Sequence, residues 1–220
     1  MSKVIIFGAG DIAQMAHFYL THDSEHEVIA FTVDKDYISS EEFCELPIYP
    51  FEEIEQQFSP EDYAMFIAIS YAKVNKVRTE KYAQAKAKGY SLISYVSSKA
   101  THWENIEIGE NCFIFEDNTI QPFVKIGNNV TLWSGNHIGH HSKIEDNCFI
   151  TSHVVISGGV NIQRNCFIGV NATIRDHVNI APNCVIGAGS LILKDTQENG
   201  VYTAPSAVLS KVPSNRLRNL

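Results

Sequence analysis

The 220-residue sequence lacks several features that would assign it to a class of protein. It has no apolar run of transmembrane length and no charged-then-apolar leader, so we expect neither a membrane protein nor a secreted one. Basic residues are scarce, and the net charge of −8 argues against non-specific nucleic-acid binding. The five cysteines include no CxxC pair. Free thiols are typical of a reducing compartment, so we expect a cytoplasmic protein.

The strongest pattern in the sequence is a period of six residues in its C-terminal half. A branched aliphatic residue occupies every sixth position without a break, and this isoleucine ladder comprises Ile108, Ile114, Ile120, Ile126, Leu132, Ile138, Ile144, Ile150, Ile156, Ile162, Ile168, Ile174, Ile180, Ile186 and Ile192. A period of six fits neither an α-helix nor a simple strand. It is the pattern of a hexapeptide-repeat parallel β-helix.

Small residues stand two positions before each aliphatic, and residues at this spacing point to the same face of a strand. Four cysteines occupy this inward position, and they are Cys112, Cys148, Cys166 and Cys184. We therefore predict a buried stack of free thiols, with Val130 in the same stack. A metal site is not expected, because stacked core thiols lack tetrahedral partners. The fifth cysteine, Cys44, lies in a predicted loop.

Three residues after most aliphatics comes Gly, Asn, Asp or His, the types that best tolerate positive φ. Each repeat is thus a short strand and a corner, and three repeats close a triangular coil of eighteen residues. Fifteen repeats make five coils, a prism on the order of 24 Å tall at roughly 4.8 Å per coil.

The eighteen-residue coil predicts which residues stack at each corner. Gly158 and Gly159 should lie one coil above His140 and His141, leaving an open space over the histidine pair. Backbone N–H groups of the two glycines could donate hydrogen bonds there to an oxygen on which negative charge develops. A histidine at a corner can also be a plain surface residue. This interpretation is preferred for His177, and for His153, at a different corner, it stays open.

The N-terminal half predicts a small α/β unit. A strand over 3–8 leads into Gly8-Ala9-Gly10-Asp11, a helix over 11–21 and a strand over 27–33 that ends at Asp34. This order is typical of a dinucleotide-fold βαβ unit. Further elements are expected over 51–58 (helix), 63–70 (strand), 74–88 (helix) and 91–96 (strand). The glycine turn is compatible with NAD, a nucleotide-linked sugar or a purely structural role, and NAD is disfavoured because only about 95 residues precede the prism.

A small βαβ domain with Gly-Ala-Gly, followed directly by a hexapeptide prism, resembles the NeuD/PglD-like family of sugar O- and N-acyltransferases. The resemblance covers roughly residues 3–212 and is most specific over 136–144, Asn-His-Ile-Gly-His-His-Ser-Lys-Ile. It implies an α/β N-terminal Rossmann-like domain over 1–96, a left-handed parallel β-helix of about five coils over 97–212, and a C-terminal tail over 213–220.

The resemblance also implies an activity: acetyl-CoA-dependent N-acetylation of a nucleotide-linked amino-deoxy sugar by direct transfer. His140 takes the position of the general base. His141 replaces the glutamate that often follows it and would orient or assist the base. His137 is expected behind the base or beside the coenzyme. The family's second histidine falls at Phe149, so that role is absent or moved. A homotrimer with active sites between subunits is implied.

Binding residues follow from the same resemblance. Those implied for acetyl-CoA are Gly158, Gly159, Val170, Gly187 and Ala188. Those implied for the nucleotide sugar are Gly8, Gly10, Asp11, Asp34, Lys35 and Ser70. Sugar O-acetylation and a non-catalytic scaffold remain alternatives. A zinc site on the His-x-x-His-His cluster is disfavoured, so no metal is expected.

Overall fold

A computed structural model describes residues 1–216 of the chain. The N-terminal elements are β1 (Lys3–Phe7), α1 (Asp11–His22), β2 (Glu27–Val33), β3 (Glu42–Phe43), β4 (Leu46–Pro50), β5 (Tyr63–Ile67), α2 (Lys76–Ala87) and β6 (Ser91–Leu92). They form one sheet in the order β3-β4-β2-β1-β5-β6, in which only the β3–β4 pair is antiparallel. Short 3-10 helices cover Lys35–Tyr37, Phe51–Gln56 and Ser214–Arg216.

The central strand β1 is buried on both faces, which explains its continuous apolar sequence. Val4 and Ile6 pack towards α1, whereas Ile5 packs towards Phe51 and α2. The alternation follows from the two-residue period of a strand. The predicted βαβ unit is therefore present, with helices on both sides of a parallel sheet.

Seventeen two-residue strands build the prism. They are β7 (Tyr95–Val96), β8 (Glu107–Ile108), β9 (Phe113–Ile114), β10 (Thr119–Ile120), β11 (Lys125–Ile126), β12 (Thr131–Leu132), β13 (His137–Ile138), β14 (Lys143–Ile144), β15 (Phe149–Ile150), β16 (Val155–Ile156), β17 (Asn161–Ile162), β18 (Phe167–Ile168), β19 (Thr173–Ile174), β20 (Asn179–Ile180), β21 (Val185–Ile186), β22 (Leu191–Ile192) and β23 (Val201–Tyr202). The ladder predicted fifteen of them. The structure adds β7 and β23, one at each end.

The strands form three parallel sheets, the faces of a triangular prism. Face 1 is β7-β9-β12-β15-β18-β21-β23, face 2 is β10-β13-β16-β19-β22, and face 3 is β8-β11-β14-β17-β20. The register between the ladder strands is eighteen residues, so Ile138 pairs with Ile120 and Ile156. The end strand β23 differs, because Val201 lies sixteen residues after its partner Val185. Corners 1/2, 2/3 and 3/1 are named after the faces they join.

The interior of the prism matches the sequence pattern. Almost the whole isoleucine ladder is buried, and Ile108 at the first coil is partly buried. Cys112, Val130, Cys148, Cys166 and Cys184 are fully buried in one stack, as predicted. Positive φ angles recur at the corners, for example at Asn111, His141 and His153.

The N-terminal half departs from prediction in four places. The 51–58 segment forms a 3-10 helix of six residues. The 74–88 helix begins at Lys76, because residues 73–75 adopt left-handed φ angles of 52°, 53° and 64°. The 91–96 strand is two strands: β6 joins the N-terminal sheet and β7 joins the prism. The β3–β4 hairpin was not predicted. The start of α2 and the division of the 91–96 segment depend on contacts with the prism, which local patterns do not contain.

Aromatic packing holds the N-terminal domain against face 1. Phe113, Phe149 and Phe167 point outward from this face, each directly before a ladder isoleucine. Tyr19 of α1 contacts Phe113 at 6.1 Å between ring centroids, and Tyr71 contacts Phe149 at 5.1 Å and Phe167 at 4.7 Å. The domain therefore covers one face of the prism and leaves the opposite corner, 2/3, uncovered.

Two expectations concern chain segments rather than the core. None of the helices within residues 1–216 is both long enough and apolar enough to cross a membrane. The predicted tail over 213–220 begins with an exposed 3-10 turn at Ser214–Arg216, and residues 217–220 lie outside the described part of the chain.

Candidate active site

The histidine pair lies exposed at corner 2/3, between β13 and β14. The Nδ1 atoms of His140 and His141 are 3.1 Å apart, so one ring donates a hydrogen bond to the other. The backbone N–H of His140 donates to Gln121 Oε1 at 2.9 Å. The ring of His141 packs on Phe123, with 4.6 Å between centroids. Neighbouring groups thus hold both imidazoles although they face solvent.

Gly158 and Gly159 lie one coil above the histidine pair, as predicted, but the space between them and the pair is not open. A Cβ on Gly158 would lie 2.7 Å from both Cε1 and Nε2 of His140, so the His140 ring itself covers this glycine. A Cβ on Gly159 would lie 2.5 Å from Nδ1 of His177. The ring of His177 therefore lies over Gly159, and the residue is exposed, as expected for a surface histidine. The space is filled because both rings fold back onto the glycine corner.

The predicted pair of free glycine N–H groups is also corrected. The Gly159 N–H donates to the carbonyl oxygen of His140 at 2.8 Å. It is part of the coil's own hydrogen bonding, so only the Gly158 N–H is left for a ligand. The chemistry available at the corner is that of an exposed histidine whose Nδ1 is hydrogen-bonded and whose Nε2 lies over Gly158, an arrangement that suits proton transfer.

The remaining predicted coenzyme residues lie at another corner. Val170, Gly187 and Ala188 are at corner 1/2, between strands of faces 1 and 2. Val170 and Ala188 stack one coil apart and are exposed. The five predicted coenzyme residues therefore form two groups, one at each edge of face 2.

Two other histidines lie at or on face 2. His153 lies at corner 1/2, where its Nδ1 would be 2.6 Å from a Cβ on Gly135. It does not join the His140 corner, in agreement with its predicted phase. His137 points outward from the middle of face 2, in register with Thr119 and Val155. Phe149, at the family's second histidine position, packs against Tyr71 in the domain contact.

The predicted nucleotide-sugar residues gather at one edge of the N-terminal sheet. Gly8, Gly10 and Asp11 follow β1, Asp34 and Lys35 follow β2, and Ser70 lies three residues beyond β5. These three strands are parallel neighbours, so their carboxyl ends meet. Gly8 also has a structural reason to be glycine: its φ is 132°, and a Cβ would lie 2.7 Å from the Ala68 carbonyl oxygen. Gly10, by contrast, faces open space.

Asp34 forms a salt bridge with Lys81 of α2. Lys35 donates its backbone N–H to the Glu52 carboxylate at 3.1 Å. Asp34 and Lys81 line an open cleft of about 640 Å³, together with Tyr37 and Lys88. Sequence reasoning missed Lys81 because its partner is 47 residues away and only the fold brings the two together.

One protomer does not unite these two groups of residues. The nucleotide-sugar residues belong to the domain that covers face 1, whereas His140 and His141 lie at the corner between faces 2 and 3. In a triangular prism that corner is opposite face 1. The predicted catalytic and substrate-binding residues are thus on opposite sides of the prism.

The described residues, 1–216, contain no group of three or more His, Cys, Asp or Glu side chains arranged to hold a metal ion. The His140–His141 pair has a mutual hydrogen bond instead.

Comparison with known families divides the chain in the same way as its fold. The family described as the PglD N-terminal domain matches residues 3–85. The bacterial transferase hexapeptide family matches three segments, 105–139, 124–158 and 159–194. No curated protein sequence matches the chain.

Several solved structures share the complete two-domain fold. A histidine-to-asparagine mutant of perosamine N-acetyltransferase from Caulobacter crescentus, in complex with CoA and GDP-perosamine, is 19% identical; the match covers 91% of each chain with a TM-score of 0.78. WeeI from Acinetobacter baumannii AYE is 17% identical over 95% of this chain and 100% of that chain, with a TM-score of 0.69. The acetyltransferase domain of PglB from Neisseria gonorrhoeae is 18% identical over 91% and 96%, with a TM-score of 0.59. The prism is the left-handed parallel β-helix of this fold.

Proposed function

We propose that the chain is a hexapeptide-repeat sugar acyltransferase of the NeuD/PglD-like family, and that it transfers an acetyl group from acetyl-CoA to the amine of a nucleotide-linked amino-deoxy sugar. The observation that carries this proposal is the His140–His141 pair seated on Gly158. The perosamine N-acetyltransferase structure, with its CoA and GDP-perosamine, supports the substrate class.

His140 acts as the general base through Nε2. For Nε2 to accept a proton, Nδ1 must carry the ring hydrogen and donate it to Nδ1 of His141, 3.1 Å away. His141 thereby fixes the tautomer and supports the imidazolium that forms. Packing on Phe123 restrains His141 in turn. A positioned base of this kind typically contributes about 10²–10⁴-fold to the rate.

The reaction needs no covalent acyl-enzyme. The neutral sugar amine attacks the acetyl carbonyl carbon and forms a C–N bond, His140 Nε2 removes the amine proton, and the C–S bond breaks. The proton then passes to the departing thiolate of CoA. Four of the five cysteines are buried in the prism, which favours direct transfer over a cysteine nucleophile.

The nucleotide sugar binds at the carboxyl edge of the N-terminal sheet. The N-terminus of α1 follows Gly10 directly, and its unpaired N–H groups suit a phosphate. The cleft beside Asp34 and Lys81 is large enough for the remainder of a nucleotide. Asp11 and Lys35 are exposed at this edge, where a ligand can reach them.

A homotrimer completes the site. If three prisms turn face 2 towards a common axis, corner 2/3 of one subunit adjoins corner 1/2 of the next. His140 and Gly158 then face Val170 and Ala188 across the subunit boundary, beside the neighbour's N-terminal domain. Face 2 exposes apolar side chains suited to such contacts: Val155 is 40% exposed, Leu191 62% and Leu193 48%. Acetyl-CoA lies in the groove between the two corners.

The test is an acetyl-transfer assay with acetyl-CoA and a panel of nucleotide-linked 3- and 4-amino sugars, following thiol release and product mass. The wild-type chain should acetylate at least one amino sugar, and His140→Ala should lower kcat by about 10²-fold or more. His102→Ala is the matched control, because His102 is an exposed histidine outside the prism corners. Transfer to hydroxyl-bearing sugars alone, or an unchanged His140→Ala variant, would contradict the proposal.

A further inference from the structure

A buried arginine joins the two domains. Arg78 of α2 is 1% exposed, and the salt bridges among residues 1–216 do not include it. Its guanidinium donates instead to main-chain carbonyl oxygens of the prism: Asn129, Asn147 at 3.2 Å and Cys148 at 3.2 Å. It also lies 5.6 Å from the ring centroid of Phe149. The contacts span two successive coils at corner 3/1.

Asn75, three residues before Arg78, makes the same connection one coil further along the prism. Its side chain is fully buried, donates to the Cys166 carbonyl oxygen at 3.0 Å and accepts from Arg78 at 3.3 Å. Its φ of 64° is left-handed, and the two residues before it are left-handed as well. Such a run is costly for non-glycine residues, and it persists because the contacts around it demand this geometry.

Corner 3/1 carries a column of asparagines that is interrupted where these two residues enter. Asn111 donates to Asn129 and Asn129 to Asn147, both at 2.8 Å. Asn165 donates to Asn183 at 3.0 Å, but within residues 1–216 no bond joins Asn147 to Asn165, and Asn165 Oδ1 is buried without a partner. The α2 segment therefore binds at the break in the column.

A buried charge is a poor source of stability. Replacing a buried ionic group by apolar residues is often neutral or stabilising, whereas its hydrogen bonds are strongly directional. Burial lowers the pKa of Arg78 to about 10, so the guanidinium is still protonated at neutral pH. The guanidinium can donate to all three carbonyl oxygens, on two coils, only when α2 lies at one position along the prism axis and at one angle to it. The arrangement specifies orientation more than it adds stability.

We propose that Arg78 and Asn75 are positioning residues that set the nucleotide-sugar domain at one height and angle on the prism. Ser70, at the predicted sugar edge, lies five residues before Asn75, so this setting reaches the substrate directly. The inference rests on the proposed function: the sugar amine must meet an acetyl group held at prism corners. A misplacement of about 1 Å can cost 10²-fold in rate.

The test uses Arg78→Met and Arg78→Lys in the full chain. Both should lower kcat per folded protein, by about 10²-fold for Met and less for Lys, a point charge that cannot bind two coils in the same way. The dissociation constants of acetyl-CoA and of UDP and GDP should stay within about twofold, because each half-site is intact. Asn75→Gly should follow the same pattern, since glycine accepts the left-handed φ.

Asn183→Gly is the matched control, because Asn183 belongs to the same asparagine column, has a φ of 59° and makes no contact with Arg78. It should keep kcat. Trp133, which stacks on Phe115 at 4.7 Å beside the N-terminal domain, reports on domain orientation through its emission in a Trp103→Phe background. The emission should shift in Arg78→Met and not in Asn183→Gly.

Three results would overturn the positioning role. One is a wild-type kcat in Arg78→Met, another is a loss of activity that only follows the loss of folded protein in circular dichroism, and the third is unchanged Trp133 emission. Failure of the wild-type chain to acetylate any sugar refutes the proposed function instead. Trp133 emission then still tests whether Arg78 sets the domain orientation.

Discussion

Gly158→Ala tests whether the seat of His140 matters for catalysis. The backbone of Gly158 is outside the left-handed region, so alanine fits without strain of its own. Its Cβ, however, would lie 2.7 Å from two atoms of the His140 ring, whereas ordinary contact begins at 3.4 Å. The exposed ring must move by about 0.7 Å or more. Because a shift near 1 Å can cost 10²-fold, we expect kcat to fall by about 10-fold to 100-fold.

The assay is steady-state acetyl transfer at saturating substrates, with thermal unfolding measured in parallel. Stability should hardly change, because the displaced ring is at the surface and can rotate. Gly158 is also a proposed coenzyme residue, so a direct effect on acetyl-CoA must be separated. The dissociation constant of acetyl-CoA provides this separation, and so does the double variant Gly158→Ala with His140→Ala.

If the alanine acts through His140, the double variant should be no slower than His140→Ala alone, since coupled residues are non-additive. An equal additional loss in both backgrounds would refute the reasoning, and so would a Gly158→Ala enzyme with the wild-type kcat. Gly159→Ala differs in its physical basis, because the φ of 68° strains any alanine there, so a loss of stability is expected.

Three further predictions concern the pair, the domain contact and the core. His141→Phe keeps the packing on Phe123 but removes the bond to His140, and kcat should fall by about 10-fold in the same assay, with unchanged acetyl-CoA affinity. Hydrogen bonds from Ser98 and Tyr95 lower the pKa of Asp23 to about 2 from an unfolded value of 3.8. The stabilising effect of the Asp23 carboxylate should therefore be complete above pH 4 and be lost as the pH falls towards 2. In Asp23→Asn the melting temperature should depend less on pH between 4 and 2 than in the wild type. An equally steep dependence in the variant would contradict this. Ile150→Ala should lower the free energy of unfolding by about 2–5 kcal/mol in urea, against less than about 0.5 kcal/mol for the exposed Lys125→Ala, and similar losses would contradict a packed ladder.

The prism could be predicted almost completely from the sequence because each repeat meets the same environment. The large inward residue, the small inward residue and the corner recur in a fixed order, so one assignment of phase decides the position of every residue from Ile108 to Ile192. The buried cysteine stack followed from phase alone. The end strand β23 was missed because Val201 lies outside the period, sixteen residues after its partner Val185. The other end strand, β7, was assigned to the N-terminal sheet, although Val96 lies eighteen residues before Ile114 and so keeps the period.

The N-terminal domain was less predictable because its details depend on the prism. Residues 73–75 take left-handed angles although Lys73 and Val74 do not favour them, since Asn75 must reach the Cys166 carbonyl oxygen. A local signal for the docking face was present but not used: phenylalanine precedes the ladder isoleucine at 113, 149 and 167, all on face 1. Outward aromatic residues in one column indicate a covered face.

At the candidate site, the sequence predicted which residues stack on one another but not the directions of their side chains. Register placed Gly158 over His140, yet the rotamer of His140 decides that its own ring fills the space. A corner glycine can accept a ligand or a neighbouring side chain, and the sequence is the same in both cases. Lys81 shows the same limit, since its partner Asp34 is known only from the fold.

The separation of the histidine pair from the sugar-binding edge of its own chain, by contrast, follows from residue numbers. Corners recur every six residues and return to the same edge every eighteen, so the pair at 140–141 must lie opposite face 1, where the aromatic column binds the N-terminal domain. A shift of the pair by six or twelve residues would place it at an edge of face 1, beside its own domain; His153 already stands at such an edge. The chain keeps its paired histidines at the one corner that its own sugar domain does not border. In the proposed homotrimer, a neighbouring copy of the chain would therefore bring its sugar domain to this corner.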